Sequence, residues 1–174
     1  TLSYNSPVMV TSHLNTETAK QSDLRDDSDP PLSLSQSEER YRYYFENAKD
    51  AIYVHDLHGR YIMVNKAGEE LIGYTHDEIL QMRISDVVPA HYLDQIHARL
   101  KKKLADNSLT IYEIEAIRKD GSRVPIEVSS RLIYENGVPV AVQGSARDIS
   151  ERKRAEEALR ASQLQLQQSQ KLEA

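Results

Sequence analysis

The sequence contains no cysteine and no tryptophan. Without cysteine it cannot form a disulfide, a thiolate nucleophile or a cysteine-based zinc site. It also has no apolar run near the roughly 18 residues that a membrane-spanning helix requires. Its first residues do not follow the charged-then-apolar pattern of a signal peptide. These absences predict a soluble, cytoplasmic segment with no membrane span.

An excess of positive charge is also missing. With 22 basic and 27 acidic residues the formal net charge is −5, which argues against a general nucleic-acid binder. Lys101, Lys102 and Lys103 are expected to form the solvated face of a helix, because no aromatic residues are interleaved with them. The mean hydropathy of −0.62 is low for a compact protein, so part of the chain should be solvated linker or helix.

Three segments are predicted. Residues 1–34 are rich in Ser, Thr, Asp and Asn, and they should form a disordered polar linker because they cannot bury enough apolar surface. Residues 35–150 carry the periodic patterns of one folded domain of ordinary size. Residues 151–174 carry a charged helical pattern. The whole chain is expected to be a fragment of a longer protein.

The folded segment begins with an amphipathic helix near 38–48, predicted from apolar residues at a spacing of three to four. Asn65 should cap a short helix that Gly73 ends, and Pro89 should open a longer one. Alternating apolar residues between turn signals predict strands at 51–57, 60–64, 109–118, 122–134 and 138–149. This order predicts an α+β fold, a five-stranded antiparallel sheet with short helices on one face.

The last predicted strand runs directly into the charged helix, with no Gly or Pro between them. Asp148 should cap that helix, with Glu151 at the capping-box position. A strand that continues directly as a helix is a rigid link, so a structural change in the sheet can be transmitted to the helix. Asp148, Ile149 and Ser150 are therefore the predicted relay residues. The chain is expected to sense and relay, and not to catalyse.

Five strings of residues stand in register with this order of elements: DLHGR at 56–60, VNKA at 64–67, LIGY at 71–74, RKDGS at 118–122 and GSARDISERK at 144–153. Each is common alone, but together they are specific. The chain resembles a PAS domain over residues 36–150 and the exit helix, about two-thirds of its length. The resemblance implies a sensory or dimerisation module whose residues 148–150 couple the last strand to an output helix.

The glutamine-rich stretch 162–174 is similar to the segment before the phosphoacceptor helix of bacterial sensor histidine kinases. This resemblance implies a fragment that ends just before that helix, with a kinase domain following in cis. Diguanylate cyclases also follow such domains and stay open as an alternative output. No catalytic residues are predicted in the chain itself, which has neither the phosphoacceptor nor the ATP-binding domain.

In a PAS fold the pocket lies between the sheet and the short helices. The candidate lining residues are Ile52, Val54, Met63, Asn65, Leu71, Ile96, Val128, Ser130, Leu132, Val140, Val142 and Gly144. For most of them an ordinary place in a filled core is the favoured interpretation, since a domain of this size must bury a comparable set. Ser130 is more suggestive because a buried hydroxyl needs a partner. Asn65 is expected to act first as a helix cap.

Haem is the most specific cofactor hypothesis. Haem-binding PAS domains take an axial imidazole from the helix that corresponds to the one after Pro89 in this chain. By alignment that position falls on Ile96, and an offset of one residue to His97 rotates a helical side chain by about 100°. His97 is therefore expected to be a surface histidine, with haem kept as an alternative to no cofactor. A cysteinyl-flavin adduct is excluded by the missing cysteine.

The other histidines are also expected to be solvated. His55, His58 and His76 fall in a strand, a turn and a helix start. No two histidines share a helical spacing with a carboxylate arranged as a metal site needs, so no metal is predicted.

The exit helix has a heptad frame formed by Arg152, Ala155, Leu159, Ser162, Leu166, Ser169 and Glu173. Few of these are apolar, so the coiled coil should be marginal, as suits a helix that shifts between two packings. A parallel homodimer is predicted through this helix and the helix near 38–48. Two hypotheses stay open: a ligand-sensing module that regulates a kinase, or a ligand-free module for constitutive dimerisation or protein interaction.

Overall fold

The computed structural model of the chain describes residues 33–173. The linker predicted over 1–34 therefore lies outside the described residues, except for Ser33 and Leu34. These two form the start of a helix instead. The Ser33 hydroxyl accepts a hydrogen bond from the backbone N–H of Gln36, and the Gln36 side chain accepts one from the backbone N–H of Ser33. This capping box satisfies two N–H groups that a helix start leaves without partners.

The helices are α1 (Leu34–Glu46), α2 (Lys66–Ile72), α3 (His76–Ile79), α4 (Ile84–Val87), α5 (Leu93–Asp106) and α6 (Ser150–Glu173). The strands are β1 (Ala51–Asp56), β2 (Tyr61–Val64), β3 (Thr110–Ile117), β4 (Arg123–Glu135) and β5 (Val138–Asp148). They form one sheet in the spatial order β2-β1-β5-β4-β3, with every neighbouring pair antiparallel. The predicted α+β fold, with helices before and after the sheet domain, is confirmed.

Local signals position the short helices over the sheet. The Thr75 hydroxyl accepts from the backbone N–H of Glu78, and the Glu78 carboxylate accepts from that of Thr75, so α3 starts with a capping box. Helix α2 follows Asn65 and ends at Gly73, whose φ of 77° lies in the left-handed region that favours glycine. Both helices therefore have sequence-defined ends.

The hydrophobic core lies between the inner face of the sheet and these helices. Every second residue of β4 from Val124 to Leu132 is buried, which is the pattern of a strand with one covered face. Ile79 of α3 and Val87 of α4 close the opposite side. Burying one such side chain contributes about 1.5–3 kcal/mol, so packing holds these one-turn helices in place.

The first and last helices are peripheral. Within α1 the buried residue is Phe45, while Tyr41 and Tyr44 stay exposed. Helix α6 is exposed along nearly its whole length, including the heptad residues Leu159 and Leu166. None of the helices in the described range is long and apolar enough to cross a membrane.

Candidate ligand cavity and exit helix

A cavity of about 480 Å³ lies between the inner face of the sheet and helices α2 to α5. Its size falls within the range of about 300–1,000 Å³ that is usual for small-molecule sites. Much of its wall is apolar, with Leu71 and Val128 as examples, while His55, Lys103 and Ser130 contribute polar atoms. The arrangement can hold a small molecule with an apolar body and a polar group.

The structure brings five of the predicted lining residues together around this cavity. They are Leu71, Ile96, Val128, Ser130 and Val142. Two come from helices and three from the central strands β4 and β5. Strand β4 has a clear apolar alternation, and its inner face is the one that the alternation predicts. In β5 Val142 also lies on the predicted face, although its neighbour Ala141 is buried as well.

The candidates on β1 and β2 lie elsewhere. Ile52 and Val54 are paired with Ser145 and Gln143 on the outer face of the sheet, and Met63 is paired with Val54. The inner face of β1 carries the aromatic rings of Tyr53 and His55 instead, and these line the cavity. Both faces of β1 carry side chains with apolar atoms. Hydrophobicity alone favoured Ile52 and Val54 as the inner residues, although they lie on the outer face.

Three further candidates lie outside the cavity wall for a different reason. Leu132 is buried and Val140 is half-buried on the inner face, but neither reaches the cavity. Gly144 is covered by the ring of Tyr53. A Cβ atom placed on Gly144 would lie only 2.3 Å from the Cζ atom of that ring. The glycine makes room for an aromatic wall and does not itself contact the cavity.

Asn65 is a structural junction outside the cavity wall. Its side chain is fully buried, and Oδ1 accepts from the backbone N–H groups of Ile52 and Gly68 at 2.8 and 3.0 Å. Its Nδ2 donates to the carbonyl oxygens of Phe45 and Asp50, both at 3.0 Å. The predicted cap of α2 is thus present. The same amide also ties the end of α1 to β1.

His55 is buried rather than solvated, which corrects its sequence interpretation. Its ring stacks on Tyr53, and Nδ1 lies 2.6 Å from the carbonyl oxygen of Asp56. Burial lowers the pKa of His55. His97 is exposed at the edge of the cavity, while Ile96 packs towards the core. Within residues 33–173 there is no cluster of three or more potential metal ligands.

A buried lysine is the polar group that sequence reasoning missed. Lys103 is only 3% exposed, and Nζ donates to the Ser130 hydroxyl oxygen at 2.5 Å. That oxygen lies 3.3 Å from Oγ1 of Thr110, so three polar side chains meet at the end of the cavity. Burial, and secondarily the charge of Arg99, lowers the pKa of Lys103 to about 8.

The spacing along α5 contained the signal for this lysine. Lys103 follows Ile96 by seven residues, which places both on one face of a helix. Leu104, the apolar residue next to it, is exposed instead. Because three lysines are consecutive, the sequence pattern did not distinguish the buried Lys103 from the exposed Lys101 and Lys102.

The predicted relay residues form a short, well-defined junction. Strand β5 ends at Asp148 and helix α6 begins at Ser150. Ile149, between them, is buried, and its backbone N–H donates to the carbonyl oxygen of Pro125 in β4. The Asp148 carboxylate accepts from the backbone N–H of Ser150 at 2.8 Å. The helix therefore starts two residues after Asp148 and is fixed to the sheet at that point.

Arg118 connects this junction to the cavity. Its Nε donates to the carbonyl oxygen of Leu71, a residue of α2 whose side chain lines the cavity. Its terminal nitrogen lies 3.5 Å from the carboxylate of Asp148. One side chain thus contacts both the backbone of α2 and the last residue of β5, two residues before the exit helix begins. No local sequence signal indicates this role, because the three residues are far apart in the chain.

Charged residues also bind the first turn of α6 to the outer face of the sheet. Glu113 and Glu127 are direct partners on β3 and β4, where two like charges repel. Arg152 and Lys153 approach Glu113 at 2.7 and 2.8 Å, and Arg152 reaches Glu127 at 3.9 Å. Hydrogen bonds from Arg152 and Lys153 lower the pKa of Glu113 to about 2. The helix start thus neutralises a repulsive pair on the sheet.

A cavity thus lies beneath an antiparallel sheet, and a helix follows the last strand of that sheet directly. The chain belongs to the PAS family, since the model of the PAS domain matches residues 49–151. It is a PAS sensor domain of the kind found in signalling proteins, among them histidine kinases.

Two curated relatives and one solved structure illustrate the family. The chain is 36% identical over 129 residues to the methyl sulfide methyltransferase-associated sensor of Methanosarcina acetivorans, covering 74% of this chain and 13% of that protein. It is 27% identical over 140 residues to the sensor histidine kinase TmoS of Ectopseudomonas mendocina, covering 79% and 14%. A PAS domain from Colwellia psychrerythraea has a TM-score of 0.61 at 28% identity, covering 66% and 98%. The chain thus spans less than a fifth of the length of these curated relatives.

Proposed function

We propose that this chain is the ligand-sensing segment of a cytoplasmic histidine kinase, and that it acts by relay rather than by catalysis. A change in the cavity alters the position of α2, and Arg118 passes the change to Asp148, Ile149 and Ser150. The exit helix then alters the packing of a kinase domain in cis. The observation that carries this proposal is the double contact of Arg118, with the backbone of α2 at Leu71 and with Asp148 at the end of β5.

The cavity favours this function over that of a ligand-free module. A core that serves only to hold the fold is close-packed, with few voids larger than a water molecule. Here about 480 Å³ stays open beneath the sheet, and a buried lysine lies in its wall. Similarity to a sensor histidine kinase supports a kinase as the output.

The relay predicts that Arg118 and Asp148 are coupled. Asp148→Ala should lower the free energy of unfolding by about 1 kcal/mol, because the backbone N–H of Ser150 loses its acceptor. Arg118→Ala should lower it too, and the double variant should lose less than the sum of the two. Urea unfolding of the four proteins measures this. Strict additivity would contradict the coupling.

Hydrogen exchange then tests the direction of the relay. Arg118→Ala should raise amide exchange several-fold at the start of α6, since an exposed ion pair and one hydrogen bond are lost. Arg123→Ala is the matched control, because Arg123 also pairs with an exposed carboxylate, Glu115, but forms no hydrogen bond or salt bridge with Asp148 or α6 in the described residues. In the intact kinase, Arg118→Ala should change the autophosphorylation rate. Equal exchange in both variants would rule out this route.

We further propose a parallel homodimer through the exposed residues of α1 and the heptad frame of α6. Leu159 and Leu166 are more than half exposed and lie seven residues apart in that frame. The paired substitution Leu159→Glu and Leu166→Glu should weaken dimerisation at least about tenfold, by placing like charges at the seam. Ala161→Glu with Gln168→Glu has the same spacing and charge outside the frame. Light scattering after gel filtration measures the mass, and equal effects of the two pairs would refute the interface.

A further inference from the structure

The polar end of the cavity contains more positive charge than the protein itself neutralises. Lys103 lies in the last turn of α5 and is only 3% exposed. Its Nζ has three N–H groups, and the Ser130 hydroxyl is the one acceptor within the described residues. A buried ammonium without an anionic partner is costly, and such groups are normally paired.

A second cation lies beside the first. Arg99 is one helical turn before Lys103, and its guanidinium lies 4.4 Å from the centre of the Tyr112 ring. Its Nε is buried and has no hydrogen-bond partner in residues 33–173. Neither Arg99 nor Lys103 forms a salt bridge with a carboxylate of the described chain. Two neighbouring cations with unused donors repel each other, unless an anion joins them.

The rest of the wall determines what kind of anion fits. Besides Lys103 and Ser130 the cavity wall contains apolar side chains, among them Ile96, Leu100 and Val128, and further polar ones, among them His55, Arg83 and Tyr112. A molecule with charges along its whole length would lose hydration against the apolar side chains. A carboxylate at one end of an apolar molecule places its charge at Lys103 and its body against these side chains.

We propose that the cavity binds a small hydrophobic carboxylic acid, an aryl- or alkyl-carboxylate, whose carboxylate accepts from Lys103. The Ser130 hydroxyl is positioned to donate to the same carboxylate, and Arg99 adds its charge from behind Tyr112. The inference rests on the proposed ligand-sensing function and names the chemical class of the ligand.

Calorimetric titration of the whole chain tests the proposal with phenylacetate, 3-phenylpropionate, hexanoate and decanoate, each compared with its primary amide. At least one acid should bind, and at least about tenfold more tightly than its amide, as a charge-assisted hydrogen bond predicts. Lys103→Met should weaken that acid about ten- to hundredfold and leave the amide unchanged. Lys102→Met removes the same charge from an exposed neighbour and should change neither.

Lys103→Met is expected to fold, because methionine fills a similar volume and removes a buried charge. A melting temperature equal to or above that of the wild type verifies this. Ser130→Ala, which keeps the lysine, should weaken the same acid several-fold. Failure of all four acids, or equal binding of acid and amide, would overturn the carboxylate assignment. Binding of an acid without any change in exchange at the start of α6 would leave that assignment intact and refute the relay instead.

Discussion

Asn65→Ala should destabilise the domain by about 3–5 kcal/mol, which is at the upper end for one substitution. The wild-type amide satisfies two backbone N–H groups and two carbonyl oxygens in a fully buried position. Alanine leaves these groups without partners, and each one that stays buried costs about 1–3 kcal/mol. Urea unfolding measures the loss. Asn47→Ala, at the exposed end of α1, is the control and should cost well under half as much.

A second substitution, Asn65→Asp, tests whether Asn65 only caps α2 or also connects α1 to β1. Aspartate caps helices as well as asparagine does, so Asn65→Asp would be nearly neutral if the side chain only capped α2. In the structure its second oxygen would instead face the carbonyl oxygens of Phe45 and Asp50, which repel it. We therefore expect a large loss of stability and faster hydrogen exchange throughout α1. Wild-type stability of Asn65→Asp would contradict the junction.

The architecture was predictable because local signals agreed with one another. The Thr75 and Glu78 capping box, the Asn65 cap and the Gly73 stop each depend on residues close in sequence, and the structure contains all of them. Strand β4 alternates over many residues, so its buried face was unambiguous. A sequence specifies one fold when its local signals, such as helix caps, and its hydrophobic pattern favour the same structure.

The cavity was only partly predictable, because its wall depends on which face of a short strand is covered. Ile52 and Val54 are more hydrophobic than Tyr53 and His55, yet the aromatic pair faces inward. A large ring fills the space beneath the short helices, and Gly144 opposite leaves room for it. That complementarity joins residues about ninety positions apart, so no window of sequence contains it.

Lys103 and Arg118 were missed for different reasons. Charged residues are almost never fully buried unless they are paired, so Lys103 was assigned to the solvated face with its neighbours. Its burial is a local violation of the folding pattern, and such violations are expected at functional sites. Arg118 obeys every local rule, and its importance comes only from the distant residues that it contacts, Leu71 and Asp148.

Gly144→Ala should destabilise the domain by about 1–3 kcal/mol, and Gly144→Val by more. Strand propensity alone predicts the opposite sign, since glycine within a strand costs about 0.5–1 kcal/mol relative to alanine. The added Cβ would lie 2.3–2.5 Å from three atoms of the Tyr53 side chain, and overpacking a core costs about 1–3 kcal/mol. The clash therefore outweighs the gain in propensity.

A double-mutant cycle locates the cause of that loss in the Tyr53 ring. Tyr53→Leu alone should be destabilising, because it leaves part of the core empty. Combined with Gly144→Ala it should cost less than the sum of the two, since the smaller side chain makes room for the new methyl group. Ser145→Ala, the next residue on the opposite face of β5, should show no such coupling to Tyr53. Additive losses for Gly144 and Tyr53, measured by urea unfolding, would mean that the glycine is required by the backbone and not by the aromatic wall of the cavity.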